Sequence, residues 1–173
     1  MQGMAINPLL EEMSARDGMS VLWLGNLSWV LCSAGCFFAF DLDLGLDLRL
    51  SEPAVSADEL ATVLDVLLIT HEHDDHFNRR TAATLAARSR CRFVLPESCL
   101  DKAAEIGIEE SRVSVARPGV SFELEGAAIE PLHALHGHLH GSVYRHANFR
   151  DCGYLLSIGG LKFFQPGDTV LLH

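Results

Sequence analysis

The sequence predicts one domain of mixed α and β structure, with strands at both ends of the chain and helices alternating with strands between them. The length of 173 residues fits a single domain. A content of 49% hydrophobic and 21% charged residues is typical of a globular protein, because disordered chains are poor in hydrophobic residues. Short apolar runs separated by turn residues dominate both ends, whereas helix-capping residues alternate with apolar runs in the middle.

Residues 1–18 are interpreted as a short helical extension, since Asn7 suits an N-cap and Pro8 suits the first helical turn. Residues 19–40 carry no charge and are long enough to span a bilayer. Turn residues such as Gly25 and Asn26 interrupt this stretch, so we expect three buried strands near 21–24, 29–32 and 37–42 and no membrane partner.

The rest of the chain alternates in type and then becomes rich in strands. Ser56 and Glu59 match a capping box, Asn78 can cap a second helix, and Gly107 can end a third. The predicted helices are 57–64, 78–89 and 98–107. The predicted strands are 65–70, which is apolar enough to be buried on both faces, and 91–95, 112–116, 120–125, 127–132, 153–158 and 161–164.

Charge and cysteine content exclude several function classes. The formal net charge is −10 and no basic run is longer than Arg79-Arg80, which argues against nucleic acid or an anionic membrane as partner. The five cysteines are odd in number and form no Cys-x-x-Cys pair, so a disulfide framework is not expected. The N-terminus lacks the pattern of an export signal, and we expect a cytoplasmic protein.

The histidines point to metal chemistry because they cluster. Residues 71–76 read His-Glu-His-Asp-Asp-His and follow an apolar strand directly. In extended backbone, residues 71, 73 and 75 point to one side and residue 76 to the other, so one loop can offer ligands to two neighbouring cations. The remaining histidines are His133, His136, His138, His140, His146 and His173.

The motif His-x-His-x-Asp-His resembles the one that defines hydrolases of the metallo-β-lactamase fold. Within that superfamily, the chain is most similar to the branch that resembles ascorbate-6-phosphate lactonase. The resemblance implies an αββα sandwich and extends from about residue 19 to the end. The segments that carry it beside the motif are Leu22-Trp23-Leu24-Gly25-Asn26, Phe40-Asp41, Pro131-Leu132-His133-Ala134-Leu135-His136, Gly153-Tyr154-Leu155-Leu156 and Pro166-Gly167-Asp168-Thr169.

The resemblance also implies a first metal position. His71, His73 and His136 would hold this cation. The choice of His136 stays open at this point, because other histidines lie within reach of the same loop: His133, His138 and His140. Imidazole and carboxylate ligands suit zinc, manganese and iron, and we expect zinc first.

A second metal position follows from the same resemblance. Asp75 and His76 would hold this cation, and Asp168 would bridge both. In the resembled fold, a second half contributes a last histidine, whereas this sequence stops soon after Asp168. We therefore expect the domain over 19–173 to lack its C-terminal part, and the uncovered apolar surface predicts self-association as a homo-oligomer.

Three functions follow as hypotheses. The first is a metal-dependent hydrolase in which two cations lower the pKa of a shared water, supply hydroxide at neutral pH, and act on a small ester, lactone or phosphodiester. Asp75 would be its catalytic residue, which orients the hydroxide and passes a proton to the leaving group. The second is an inactive metal-binding remnant, or half of an assembly that needs a partner. The third is an oxidoreductase that uses iron in the same ligands.

Overall fold

The computed structural model describes residues 6–45, 49–136 and 151–169. The α-helices are α1 (Pro8–Ala15), α2 (Ala57–Leu60), α3 (Arg79–Arg88) and α4 (Leu100–Ile106). The strands are β1 (Met19–Gly25), β2 (Ser28–Ser33), β3 (Cys36–Phe40), β4 (Val66–Leu68), β5 (Arg92–Pro96), β6 (Val113–Ala116), β7 (Phe122–Leu124), β8 (Ala127–His133), β9 (Cys152–Ile158) and β10 (Leu161–Gln165). Short 3-10 turns, Glu97–Cys99 and Glu110–Arg112, precede α4 and β6.

The strands form two sheets. The first has six strands in the order β1-β2-β3-β4-β5-β6, antiparallel from β1 to β3 and parallel from β3 to β6. The second has four antiparallel strands in the order β10-β9-β8-β7. The uncharged run 19–40 is thus an antiparallel meander, and no helix among the described residues is both long and apolar enough to cross a membrane.

Two hydrophobic clusters lie on opposite faces of the six-stranded sheet. In β4, Leu67 packs into the cluster that the helices cover, which includes Leu85 of α3. Val66 and Leu68 pack into the cluster shared with the four-stranded sheet, which includes Tyr154 of β9. The predicted burial of this strand on both faces is therefore confirmed, as side chains alternate between faces along a strand.

The layers match the predicted fold class, a mixture of α and β structure. Within the described residues, helices, the six-stranded sheet and the four-stranded sheet stack in that order. These are three of the four layers of the expected sandwich. Burial of these two interfaces places the hydrophobic core on both sides of the larger sheet.

One predicted helix is shorter than expected. The capping box at Ser56 is present, but the helix ends at Leu60 instead of continuing to 64. The chain closes a turn through the amide of Leu64, which donates to the Leu60 carbonyl at 2.9 Å. It then joins the sheet, where the Asp65 carboxylate accepts a hydrogen bond from the Phe37 amide at 2.7 Å. The helix therefore ends early because the chain joins the sheet at Asp65, although the local sequence favours a helix up to residue 64.

Candidate metal centre

The carboxyl ends of the parallel strands β3 and β4 create the first part of the site. Asp41 follows β3 directly, and the histidine-rich loop of residues 71–76 begins shortly after β4. Parallel neighbours end at the same edge of a sheet, so these polar groups meet there. The loop closes tightly, because the amides of His76 and Phe77 both donate to the His73 carbonyl, at 3.0 and 2.7 Å.

The second sheet brings two more side chains to this edge. Strands β8 and β10 both lie antiparallel to β9, so they run in one direction and end on the same side. His136 lies shortly after β8, and Asp168 shortly after β10. The two sheets are tied at this point by the amide of Cys152, which donates to the Thr70 carbonyl at 3.1 Å.

The first group of candidate ligands consists of three histidines. Nε2 of His71 lies 3.0 Å from Nδ1 of His73, and Nε2 of His136 lies 3.1 Å from the same atom. One ring nitrogen from each of the three residues lies within 4.8 Å of the others. Three imidazoles that converge in this way have the number and geometry of ligands that can hold one cation.

The second group shares His71 with the first. One nitrogen each of His71 and His76 and one oxygen of Asp168 lie within 4.8 Å of one another. The shortest of these distances that involves the carboxylate joins His76 Nε2 and Asp168 Oδ1, at 3.3 Å. The Asp75 carboxylate lies farther away, 3.7 Å from His76 Nε2, and is outside both groups.

Burial and neighbouring charges set the protonation of the two buried histidines in the metal-free chain. Burial, followed by the nearby His76, His73 and His136, lowers the pKa of His71 to about 2, so its imidazole is neutral. Burial also disfavours the charged form of His76, but the hydrogen bond and charge of Asp41, together with the charges of Asp168 and Asp75, raise its pKa. A neutral imidazole is the form that binds a metal.

The hydrogen bonds fix which ring nitrogens face the site. The Thr70 hydroxyl donates to Asp41 at 2.9 Å, and its oxygen lies 3.1 Å from Nδ1 of His71. Nδ1 of His76 lies 3.0 Å from the Asp41 carboxylate. Because Nδ1 of each ring faces these oxygens, Nε2 of His71 and Nε2 of His76 face the other candidate ligands.

The residues present fit a divalent cation. Nε2 of His76 is buried and has no hydrogen-bond partner among the described residues, which is the state of a nitrogen that a cation would complete. The donor set of imidazoles and carboxylate is the one that zinc, manganese and iron accept.

A family model described as a beta-lactamase superfamily domain matches residues 17–172. The chain belongs to this superfamily. The metallo-β-lactamase fold expected from the sequence is therefore confirmed, whereas the resemblance to the ascorbate-6-phosphate lactonase branch stays a prediction.

A curated relative of this chain is named for metal-dependent hydrolysis. A metal-dependent hydrolase of the UPF0173 group from Thermococcus onnurineus is 26% identical over 120 residues, which are 68% of this chain and 49% of the relative. The chain thus spans about half the length of this curated relative.

Solved structures share the fold at low identity. A metallo hydrolase from Ignicoccus hospitalis has a TM-score of 0.65 at 19% identity, over 88% of this chain and 61% of that one. An isothiocyanate hydrolase from Delia radicum gut bacteria has a TM-score of 0.68 at 19% identity, over 88% and 63%. A diiron β-hydroxylase from Streptomyces venezuelae has a TM-score of 0.65 at 19% identity, over 88% and 30%.

The sequence alone locates the superfamily motif at residues 71–76, but it does not decide which of the later histidines joins the site. The structure brings His136 into the first group, whereas His133 is an exposed residue of β8 outside both groups. The other rivals, His138 and His140, lie outside the described residues, as do His146 and His173. Supporting residues to which the sequence assigned no role at the site are Asp41, Thr70, Gln165 and Lys102.

Asp41 accepts most of the hydrogen bonds among these supporting residues. It accepts from the Thr70 amide at 2.8 Å, from the Thr70 hydroxyl at 2.9 Å and from the Gln165 side chain at 3.1 Å, besides its contact with His76. The carboxylate is fully buried. It therefore links β3, the histidine loop and the end of β10 in one network.

Gly167 provides a test of how closely Asp168 is held. A Cβ at this position would lie 2.7 Å from Thr70 Cβ and 2.9 Å from its Oγ1. We expect Gly167→Ala to shift Thr70 or Asp168, to cost about 1–3 kcal/mol of stability through overpacking beyond its backbone strain, and to weaken metal binding. Denaturant unfolding and a zinc titration measure both effects.

The matched control is Gly126→Ala. Gly126 has a similar φ of 74°, against 62° for Gly167, but nothing lies within 4 Å of the place that an alanine methyl group would take. Gly126→Ala should lose only the stability that a left-handed alanine costs, about 1–2 kcal/mol, and should bind metal normally. Equal losses in the two variants would mean that the contact with Thr70 is unimportant.

Proposed function

We propose that this chain forms the metal centre of a metal-dependent hydrolase that acts on a small ester, lactone or phosphodiester. The observation that supports it most strongly is the pair of ligand groups that share His71 at the edge where both sheets end. Membership of the beta-lactamase superfamily and a relative named as a metal-dependent hydrolase support the same reaction class. Zinc is the proposed metal, with up to two cations held by His71, His73, His136, Asp75, His76 and Asp168.

The residues divide the work of such a site. A bound cation supplies Lewis acidity and a lowered pKa for water. Asp41 orients His76, and Thr70 orients His71, so that each Nε2 faces the site. Asp168 approaches both His76, at 3.3 Å, and His136, at 3.9 Å, a position that suits a bridging carboxylate.

We propose Asp75 as the catalytic residue. Its carboxylate is 44% exposed and lies 3.7 Å from His76 Nε2, so it borders the ligand groups and still reaches solvent. From this place it can accept a proton from an attacking water molecule and donate one to a leaving group. Proton transfer by a positioned side chain accelerates reactions by about 100-fold to 10,000-fold.

The net charge and the cysteines bear on the type of substrate and on the cellular compartment. A charge of −10 favours a small-molecule substrate over nucleic acid. All five cysteines are free, and four of them are buried, which suits a reducing cytoplasm. We also propose that residues 1–18 form an extension and residues 19–173 form the domain. The chain is further proposed to self-associate as a homo-oligomer.

Metal analysis combined with a substrate panel tests the proposed reaction. Purified chain loaded with zinc should retain the metal after gel filtration and hydrolyse a nitrophenyl ester, a simple lactone or bis(nitrophenyl) phosphate. We expect Asp75→Asn to lower the rate by on the order of 100-fold or more while the cation held by His71, His73 and His136 is still bound.

Three results would contradict the proposal in different ways. Bound metal with no hydrolysis of any of the three substrates would favour the inactive metal-binding alternative. Bound iron with a visible absorption band would favour the oxidoreductase. Full activity of Asp75→Asn would exclude this carboxylate both as the catalytic residue and as a metal ligand that the reaction requires.

A further inference from the structure

Lys102 is a buried lysine beside the metal centre. It is one of only two lysines in the sequence, the other being Lys162. Its side chain is 8% exposed, although it belongs to helix α4 on the protein's periphery. A buried ammonium group is costly unless it is paired, so its partners indicate what it stabilises.

The partners of Lys102 lie on both sides of His73. Its Nζ donates to the carbonyl of Glu72 at 2.6 Å and to Oδ1 of Asp74 at 2.6 Å. The same Nζ lies 5.2 Å from the centre of the Phe77 ring, at the end of the histidine loop. One ammonium group thus contacts the residue before His73, the residue after it and the end of the loop.

This arrangement connects the loop to a rigid element. The hydrogen bonds from the amides of His76 and Phe77 to the His73 carbonyl shape the loop internally, whereas Lys102 joins it to α4. Charge-assisted hydrogen bonds are about twice as strong as neutral ones, and Lys102 makes one to a carboxylate and one to a carbonyl. The backbone that carries the His73 imidazole is therefore fixed from outside the loop.

We propose that Lys102 is a positioning residue for the metal centre, which holds Glu72 and Asp74 so that the His73 imidazole meets those of His71 and His136. This inference depends on the proposed function, since it requires that the three histidines bind a cation. Lys102 acts through His73 and not through a contact of its own with the cation.

Lys102→Met tests the role because methionine keeps most of the apolar stem and removes the charge. Outer partners of metal ligands typically contribute 10-fold to 100-fold in affinity, and we expect Lys102→Met to weaken zinc binding by about 100-fold in a chelator competition. Lys102→Arg should recover part of the loss by keeping the charge. The matched control is Lys162→Met, at an exposed position of β10, which should bind zinc like the wild type.

A second measurement uses the metal-free chain. Hydrogen exchange at the amides of His76 and Phe77 should be roughly tenfold or more faster in Lys102→Met, because the loop loses charge-assisted bonds. The amide of Leu156, in the central strand β9, should exchange as in the wild type. Should Lys102→Met fail to fold, Asp74→Asn changes an exposed carboxylate and should still weaken zinc binding by about tenfold.

The outcomes separate this inference from the proposed function. If the wild-type chain binds no divalent metal, the proposed function is wrong, and the role of Lys102 is wrong with it. If the wild type binds zinc and Lys102→Met binds it equally well, only the role of Lys102 is overturned. Faster exchange of Leu156 by the same factor as His76 and Phe77 would also overturn it, since Lys102 would then stabilise the whole fold.

Discussion

Replacing His71 by alanine is expected to abolish binding of both cations, whereas His73→Ala or His76→Ala should each leave one cation bound. The reason is geometric, because His71 contributes a nitrogen to both ligand groups, and each of the other two residues contributes to one. Three ligands converge in each group, so loss of His71 leaves two in either place. Metal content after gel filtration, measured for each variant loaded with zinc, gives the result directly.

His133→Ala is the matched control for this series. His133 is a histidine of β8 near the same edge, but it lies outside both ligand groups. It should retain the wild-type metal content. Because His71 is buried, the metal-free His71→Ala variant needs a separate unfolding measurement to establish that it folds. A folded His71→Ala that still binds both cations would disprove the shared-ligand arrangement.

Much of the fold could be predicted because its signals are local. Asn7 caps α1 by accepting from the Leu9 amide at 3.0 Å, and Asn78 caps α3 by accepting from the Thr81 amide at 3.0 Å. The capping box at Ser56 is present as well. A cap and its helix lie within a few residues of each other, so the local sequence identifies them. Helix length was less predictable, since the end of α2 depends on where Asp65 rejoins the sheet.

Some of the candidate ligands could likewise be predicted from local sequence, whereas others depend on contacts between distant segments. His71, His73 and His76 are close in sequence, and a strand before them predicts that they share a loop. The distinction between His136 and His133 depends on where β8 ends relative to the other sheet, a relation between segments that are far apart in the chain. Sequence spacing contains no such information, which is why the choice stayed open until the strands were assembled.

The supporting residues left no pattern that sequence reasoning could use. Asp41 lies in a run of alternating aspartate and leucine and acts on Thr70 and Gln165, which are 29 and 124 residues away. In the sequence, Lys102 is indistinguishable from an ordinary charge on a short helix, and only its contacts with Glu72 and Asp74 set it apart. Long-range hydrogen bonds of this kind depend on tertiary packing.

Asp41→Asn should cause the largest loss of stability, about 3 kcal/mol or more in denaturant unfolding of the metal-free chain. Asparagine tolerates the left-handed backbone that Asp41 adopts, with φ of 46°, so the substitution tests the carboxylate and not the turn. An amide has one acceptor oxygen, and its NH2 group would face donors from Thr70, His76 and Gln165. Asp43→Asn is the control, because Asp43 is also buried but bonds the side chain of Asn78.

The pH dependence identifies the partner through which Asp41 acts. A histidine whose folded-state pKa is raised adds stability below its ordinary value of 6.5, and this stability is lost as pH rises through the raised pKa. The difference in unfolding free energy between wild type and Asp41→Asn, measured with a chelator present, should therefore shrink as pH rises through that range. Asp43→Asn should show a difference that does not change there. A pH-independent loss in Asp41→Asn would assign its effect to Thr70 and Gln165 and exclude the charge pair with His76.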